Sequence, residues 1–327
     1  MTQLSLDAVR SDVCPYVDFI DDDDGHCNNY DMASIEYQPL AEDSDDHIMQ
    51  MAAVEGPYLN TVMAVEQRLP DLPVYVPGIQ KGSGKLFAHT TPAWVGIHLG
   101  EIVSGDKLLT PADVRRRMGV PAGTKLLLLA YGKDRLIENI WPHKSEVLRR
   151  LAALGFDLVT SINYSIWDIH PHPEKIFNVK RSLVIYEEMQ SLGMPAIPHV
   201  YWYSYKSMVM WADWLNENTG VHGIAMDVQT LKAEDWACFA DELRQFVSLL
   251  NRPLHFVITG PVAASRITEL REILGMFTLT NSYAGQCAWH RTGLRVNDGQ
   301  LVADGKSQDV AKLFDDNVAV FNHLMAA

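Results

Sequence analysis

Residues 156–175 read FDLVTSINYSIWDIHPHPEK. The first seven are apolar or small apart from Asp157, which predicts a short buried strand. Asn163, Tyr164, Ser165, Trp167, Asp168, His170 and His172 then crowd its far end. A buried strand that opens into a dense polar loop is the pattern of an α/β fold whose site lies at the C-terminal ends of its strands.

Working outward, seven further runs have the same strand-like character. They are VYVPGI from 74, WVGIHL from 94, KLLLLAYG from 125, AIPHVYW from 196, GIAMDVQ from 223, LHFVITG from 254 and FTLTNSY from 277. Helical segments follow many of them, among them TPADVRRRMG, KSEVLRRLAALG, AEDWACFADELRQFVSLLN and AASRITELREILG. Thr110-Pro111 is an N-cap with proline at the first helical position, and Gly155, Gly193, Gly220 and Gly275 stand at helix C-termini. Apolar strands alternating with amphipathic helices predict a parallel sheet covered by helices. Eight strands at a spacing of roughly 30 residues predict closure into a (β/α)8 barrel. The first unit lacks a helical pattern between 80 and 93, so an open doubly wound sheet is the alternative. PYLNTVMAVEQRL, at 57–69, predicts a short helix that plugs one end of the core.

The charge divides the chain. Of 41 acidic and 27 basic residues, 16 and two fall within residues 1–72, leaving 25 of each in the remainder. The excess acid, centred on DDDDG at 21–25 and EDSDD at 42–46, predicts an acidic N-terminal arm over 1–56 and a barrel domain over 57–327. Such an arm is expected to be solvated and mobile over at least 18–48, or to cover a basic groove or bind a basic protein partner. A neutral body argues against a broad nucleic-acid footprint but leaves room for a local basic channel. No apolar run reaches the length of a membrane span, and no secretory signal is visible at the start, so a cytoplasmic address is expected. The four cysteines are few and scattered, as free thiols in a reducing compartment are.

The barrel reading directs attention to the strand ends. They offer His98 and Glu101 after the second run, Tyr131, Lys133 and Asp134 after the third, and His199, Tyr201, Trp202 and Tyr203 at the fifth. Asp227 and Gln229 end the sixth, Thr259 the seventh, and Asn281, Ser282, Tyr283 and Gln286 the eighth. A carboxylate in an apolar strand is costly unless paired or functional, which selects Asp227 as acid, base or nucleophile, with an ion pair as the structural alternative. His199 is its expected proton partner, or else a hydrogen-bonded core histidine. Asp168 is the third catalytic candidate. Asn163, Tyr164, His170, Trp202, Tyr203, Gln229, Asn281 and Tyr283 are the ligand-binding candidates, with amides to read a ring edge and flat rings to stack on it. His170, Asp168, His199 and Asp227 also supply metal-ligand types, although no zinc signature such as HExxH is present. No GxSxG elbow occurs.

The segments LPVYVPGI, YGKDRLIENIW, FDLVTSINYSIW, KRSL, GMPAIPHVYWY and LTNSYAGQ resemble a domain-of-unknown-function family of phages, plasmids and actinobacteria. A weaker similarity, carried by the last strand and HRTGLRV, is to queuine and preQ0 transglycosylase barrels. That similarity implies a ring-binding pocket. Asn281 and Ser282 stand where those enzymes carry a nucleophilic aspartate, and their zinc-binding cysteine cluster is missing. The sequence therefore predicts a barrel enzyme acting on a small, ring-containing, nucleobase-like ligand. The alternatives are a metal-dependent hydrolase using Asp168, His170, His199 and Asp227, and a non-catalytic protein that binds a partner through its acidic arm. The sequence does not identify a cofactor.

Overall fold

The computed structural model describes residues 44–104, 107–167, 170–297 and 300–326. The expectations for the arm before residue 44, and candidate Asp168, lie outside the described residues. Each of the eight runs contains a strand: β1 (Tyr75–Ile79), β2 (Trp94–His98), β3 (Lys125–Leu129), β4 (Leu158–Thr160), β5 (Ala196–Ile197), β6 (Gly223–Asp227), β7 (His255–Thr259) and β8 (Thr278–Asn281). All pair in parallel, in the order β5, β4, β3, β2, β1, β8, β7, β6. β5 is short because Pro198 has no N–H to continue its ladder. The ring still closes on β6 through a bridge between His199 and Ala225. There the Val200 N–H donates to the Ala225 carbonyl at 2.9 Å, and the Ala225 N–H to that of Pro198 at 2.8 Å. The architecture is the (β/α)8 barrel, not the open sheet.

The sheet is covered outside by helices and filled inside by side chains. Val76, Trp94, Leu127, Leu129, Leu158, Ile197, Ala225 and Val257 belong to the inner cluster, with inward residues from β1 to β7. The shell comprises α2 (Pro111–Met118), α3 (Asp134–Glu138), α4 (Lys144–Ala152), α5 (His172–Ser191), α6 (Tyr205–Glu217), α7 (Trp236–Leu249), α8 (Ala264–Leu274) and α9 (Tyr283–Trp289). Before them in the chain comes α1 (Ser44–Ala53), within the segment read as the arm. A hairpin, β9 (Thr292–Asn297) with β10 (Gln300–Lys306), and α10 (Val310–Ala326) complete the chain. Thr110 caps α2 as expected, its hydroxyl accepting from the Asp113 N–H at 3.2 Å. Between β1 and β2 the missing helix is replaced by a 3-10 turn, Ser83–Phe87.

The expected helix over 57–69 does not form. Only Leu59–Thr61 makes a 3-10 turn, and the chain then runs extended, with Met63 and Val65 exposed. An extended strap serves the end of the barrel better, since it can pair with strand ends that a helix would leave open. Leu69 and Leu72 pack on the inner cluster. The Gln67 Nε2 donates to the carbonyls of Ala196 and Gly223, at 3.0 and 3.2 Å. Its Oε1 accepts from the N–H groups of His222 and Gly223, at 2.9 and 2.6 Å. One amide thereby stitches β5 to β6 where their own ladder is absent. The buried Lys180 ammonium on α5 holds the start of the strap through the Tyr58 carbonyl and the Thr61 hydroxyl.

Cys287 is a buried free thiol. Among the described residues no helix is long and apolar enough to cross a membrane.

Candidate functional site

Asp227 is the last residue of β6 and is half-buried at the C-terminal end of the barrel. Its Oδ1 accepts from the Gln229 N–H at 2.9 Å, a turn that fixes the carboxylate at the strand end. Burial raises its pKa to about 6, and the Gln229 hydrogen bond only partly opposes that. Gly260, after β7, has φ +125°, and a Cβ there would lie 2.6 Å from the Gln229 nitrogen, so glycine is needed for this close approach.

His199 lies beside Asp227 but meets its backbone. Its Nε2 accepts from the Asp227 N–H at 3.1 Å, which leaves the proton on Nδ1. Burial drives its pKa down to about 3, so the ring is neutral. Nδ1 is buried without a hydrogen-bond partner. The ring stands edge-on to Tyr131, 5.0 Å between centroids. The Tyr131 hydroxyl approaches Thr160 and Thr259 without a well-formed hydrogen bond, and both burial and the Asp227 charge hold it protonated. Tyr131, His199, Asp227 and Thr259 thus form a buried polar group at the upper end of an otherwise apolar interior. The sequence places Tyr131 and Thr259 at strand ends but assigns them no role. Tyr131 was readable, because it continues the alternation of inward Leu127 and Leu129 in KLLLLAYG.

The loop after β4 is anchored from beneath. The Ser165 hydroxyl donates to Asp134 Oδ1 at 2.6 Å, and Asn178 Nδ2 donates to the Ser165 carbonyl at 2.8 Å. Tyr164 is fully buried, with the Arg181 guanidinium 3.6 Å from its ring centre and Trp141 edge-on. Arg181 in turn makes a two-pronged pair with Glu138, at 2.6 and 2.7 Å. Tyr164 is therefore packed within the wall. His170 is buried and accepts from the Trp167 N–H at 3.3 Å; burial, with Lys175 and Arg181 nearby, lowers its pKa to about 4. Asn163 is half-buried in the same loop.

The other candidates separate. Trp202 turns outward onto α7, packing at a tilt on Phe246 and donating its indole N–H to Glu242 at 2.9 Å. Tyr203 packs edge-on to His172, with Lys175 above its ring. Asn281 is a structural joint: Oδ1 accepts from the Tyr75 hydroxyl and the Tyr283 N–H, and Nδ2 donates to the Pro261 carbonyl. Gln229 is exposed beside Asp227, and Tyr283 is half-buried at the start of α9.

A cavity of about 90 Å³ opens at the ends of β1, β2 and β8, with His98, Glu101, Ser282, Gln286 and Trp289 in its lining. His98 on the second strand and Asp227 on the sixth lie on opposite strands of the eight-stranded ring. Among the described residues no group of three or more His, Cys, Asp or Glu side chains is placed to hold a metal ion.

The profile of a domain of unknown function, DUF4417, matches residues 101–274, more than half of the chain. The chain belongs to the DUF4417 family. The DUF4417 segment runs from just after β2 through α8 and contains Tyr131, His199, Asp227 and Thr259, whereas β1, β2, β8 and most of the cavity lie outside it. No curated protein gives a match.

Proposed function

We propose that this barrel binds a small, ring-containing, nucleobase-like molecule at its C-terminal face and moves a proton on it through Asp227. The observation that carries the reading is a carboxyl with a pKa of about 6 fixed at a strand end of the barrel. Such a group is shared between its acid and base forms near neutral pH and can take a proton and return it. Strongly shifted carboxyls concentrate at functional sites, and barrel enzymes place their chemistry on this face.

In this reading His199 positions and does not relay. Its Nε2 lone pair is engaged by the Asp227 N–H, so a proton passed to it would break that bond. The Nδ1–H and the Tyr131 hydroxyl are instead neutral donors suited to an acceptor oxygen on the ligand. Gln229 and Asn163 supply amides near the mouth. A covalent route through the last strand is not part of the reading, because both ends of the Asn281 amide are engaged within the fold.

The test is ligand-observed NMR with purines, pyrimidines and their nucleosides on the wild type and Asp227→Asn. At least one ring compound should bind saturably, with affinity changing severalfold across pH 6 in the wild type and not in the variant. Absence of binding across the panel, or binding without that inflection, would contradict the proposal.

A further inference from the structure

We infer that the cavity between Glu101, His98 and Trp289 is a subsite for a planar, N–H-bearing cation of the guanidinium type. It rests on the reading of the C-terminal face as a small-molecule site, and names the group by which the ligand enters it.

Among the described residues Glu101 is the sole formally charged side chain in the lining. Its Oε2 accepts from the Lys81 N–H at 2.8 Å, which fixes the carboxylate and leaves Oε1 and further lone pairs free to accept. The Lys81 ammonium does not neutralise it, because it reaches away to the Val103 carbonyl at 3.3 Å. His98 has no hydrogen-bond partner among the described residues, and burial lowers its pKa, so the imidazole adds an acceptor without adding positive charge. Gln286 donates through Nε2 to the Ser282 hydroxyl at 2.7 Å, which leaves its carbonyl oxygen as another acceptor. The lining is thus rich in acceptors and carries one negative charge. A fixed carboxylate is matched by the parallel N–H groups of a guanidinium, and an indole in the wall favours a flat cation. A water needs about 10–15 Å³ of such space, so about 90 Å³ holds a group of several heavy atoms.

The experiment titrates the intact chain with methylguanidinium, using urea as the uncharged planar isostere and the Trp289 indole N–H resonance as reporter. Methylguanidinium should shift that resonance saturably, and urea should bind at least tenfold more weakly. Glu101→Gln, which still accepts from Lys81, should weaken methylguanidinium at least tenfold with an unchanged melting temperature. Asp227→Asn should leave its affinity within twofold, so that loss of this subsite and loss of the Asp227 chemistry register separately. No saturable shift, equal binding of urea, or full affinity in Glu101→Gln would overturn the inference.

Discussion

The Asp227 N–H donates to Nε2 of His199 at 3.1 Å, so the two residues expected to exchange a proton are joined through the backbone of one and the ring of the other. That bond and the burial around it keep His199 neutral, with its proton on Nδ1. Nitrogen-15 NMR should find a single Nδ1–H tautomer throughout pH 5–8.

The same burial has a consequence for stability. His199 titrates near 3 in the fold against about 6.5 in the unfolded chain. Its contribution is fully present above pH 6.5 and is lost as pH falls from there towards 3, by up to about 1.4 kcal/mol per pH unit. Urea denaturation of the wild type and His199→Asn should show a difference that shrinks through this window.

Asp227 acts in the opposite direction. Its pKa in the fold, about 6, lies above the unfolded value of about 3.9, so its contribution is present below pH 3.9 and lost as pH rises through 6. Asp227→Asn keeps an acceptor for the Gln229 N–H and should stabilise the fold by about 2 kcal/mol at pH 7.5, with no gain at pH 4. Equal stability at both values would show that the carboxylate is not buried at a cost.

Gln67 makes four hydrogen bonds across the seam of the barrel. Gln67→Leu retains most of the volume and leaves those backbone groups unpaired. It should cost about 2–4 kcal/mol in urea denaturation, with hydrogen exchange rising first in β5 and at the start of β6.

Arg181 and Glu138 carry Tyr164, and with it the loop after β4. Arg181→Met should cost about 3 kcal/mol, because it leaves Glu138 without its partner. Exchange in residues 161–167 should rise more than in β3. An unchanged loop would show that Ser165, through Asp134 and Asn178, anchors it alone.

Much of this was legible in particular residues. The apolar runs and the capping pattern at Thr110-Pro111 predict the strands and their rhythm, and a carboxylate inside GIAMDVQ selects Asp227. The strap over 57–69 was misread because Leu59, Val62 and Leu69 have helical spacing yet are used by an extended chain. Trp202 misled for a related reason: the break at Pro198 decides which way the following aromatics face, and composition carries no such direction. The Tyr164–Arg181–Glu138 stack joins three distant segments and leaves no local signal.

The most direct measurement is a carbon-13 NMR titration of the Asp227 side-chain carboxyl, assigned by comparison with Asp227→Asn. Acid–base chemistry at this strand end predicts a midpoint near pH 6 that moves when a ring ligand binds. A midpoint in the ordinary carboxylate range, near 4 and unmoved by any ligand of the panel, would contradict it.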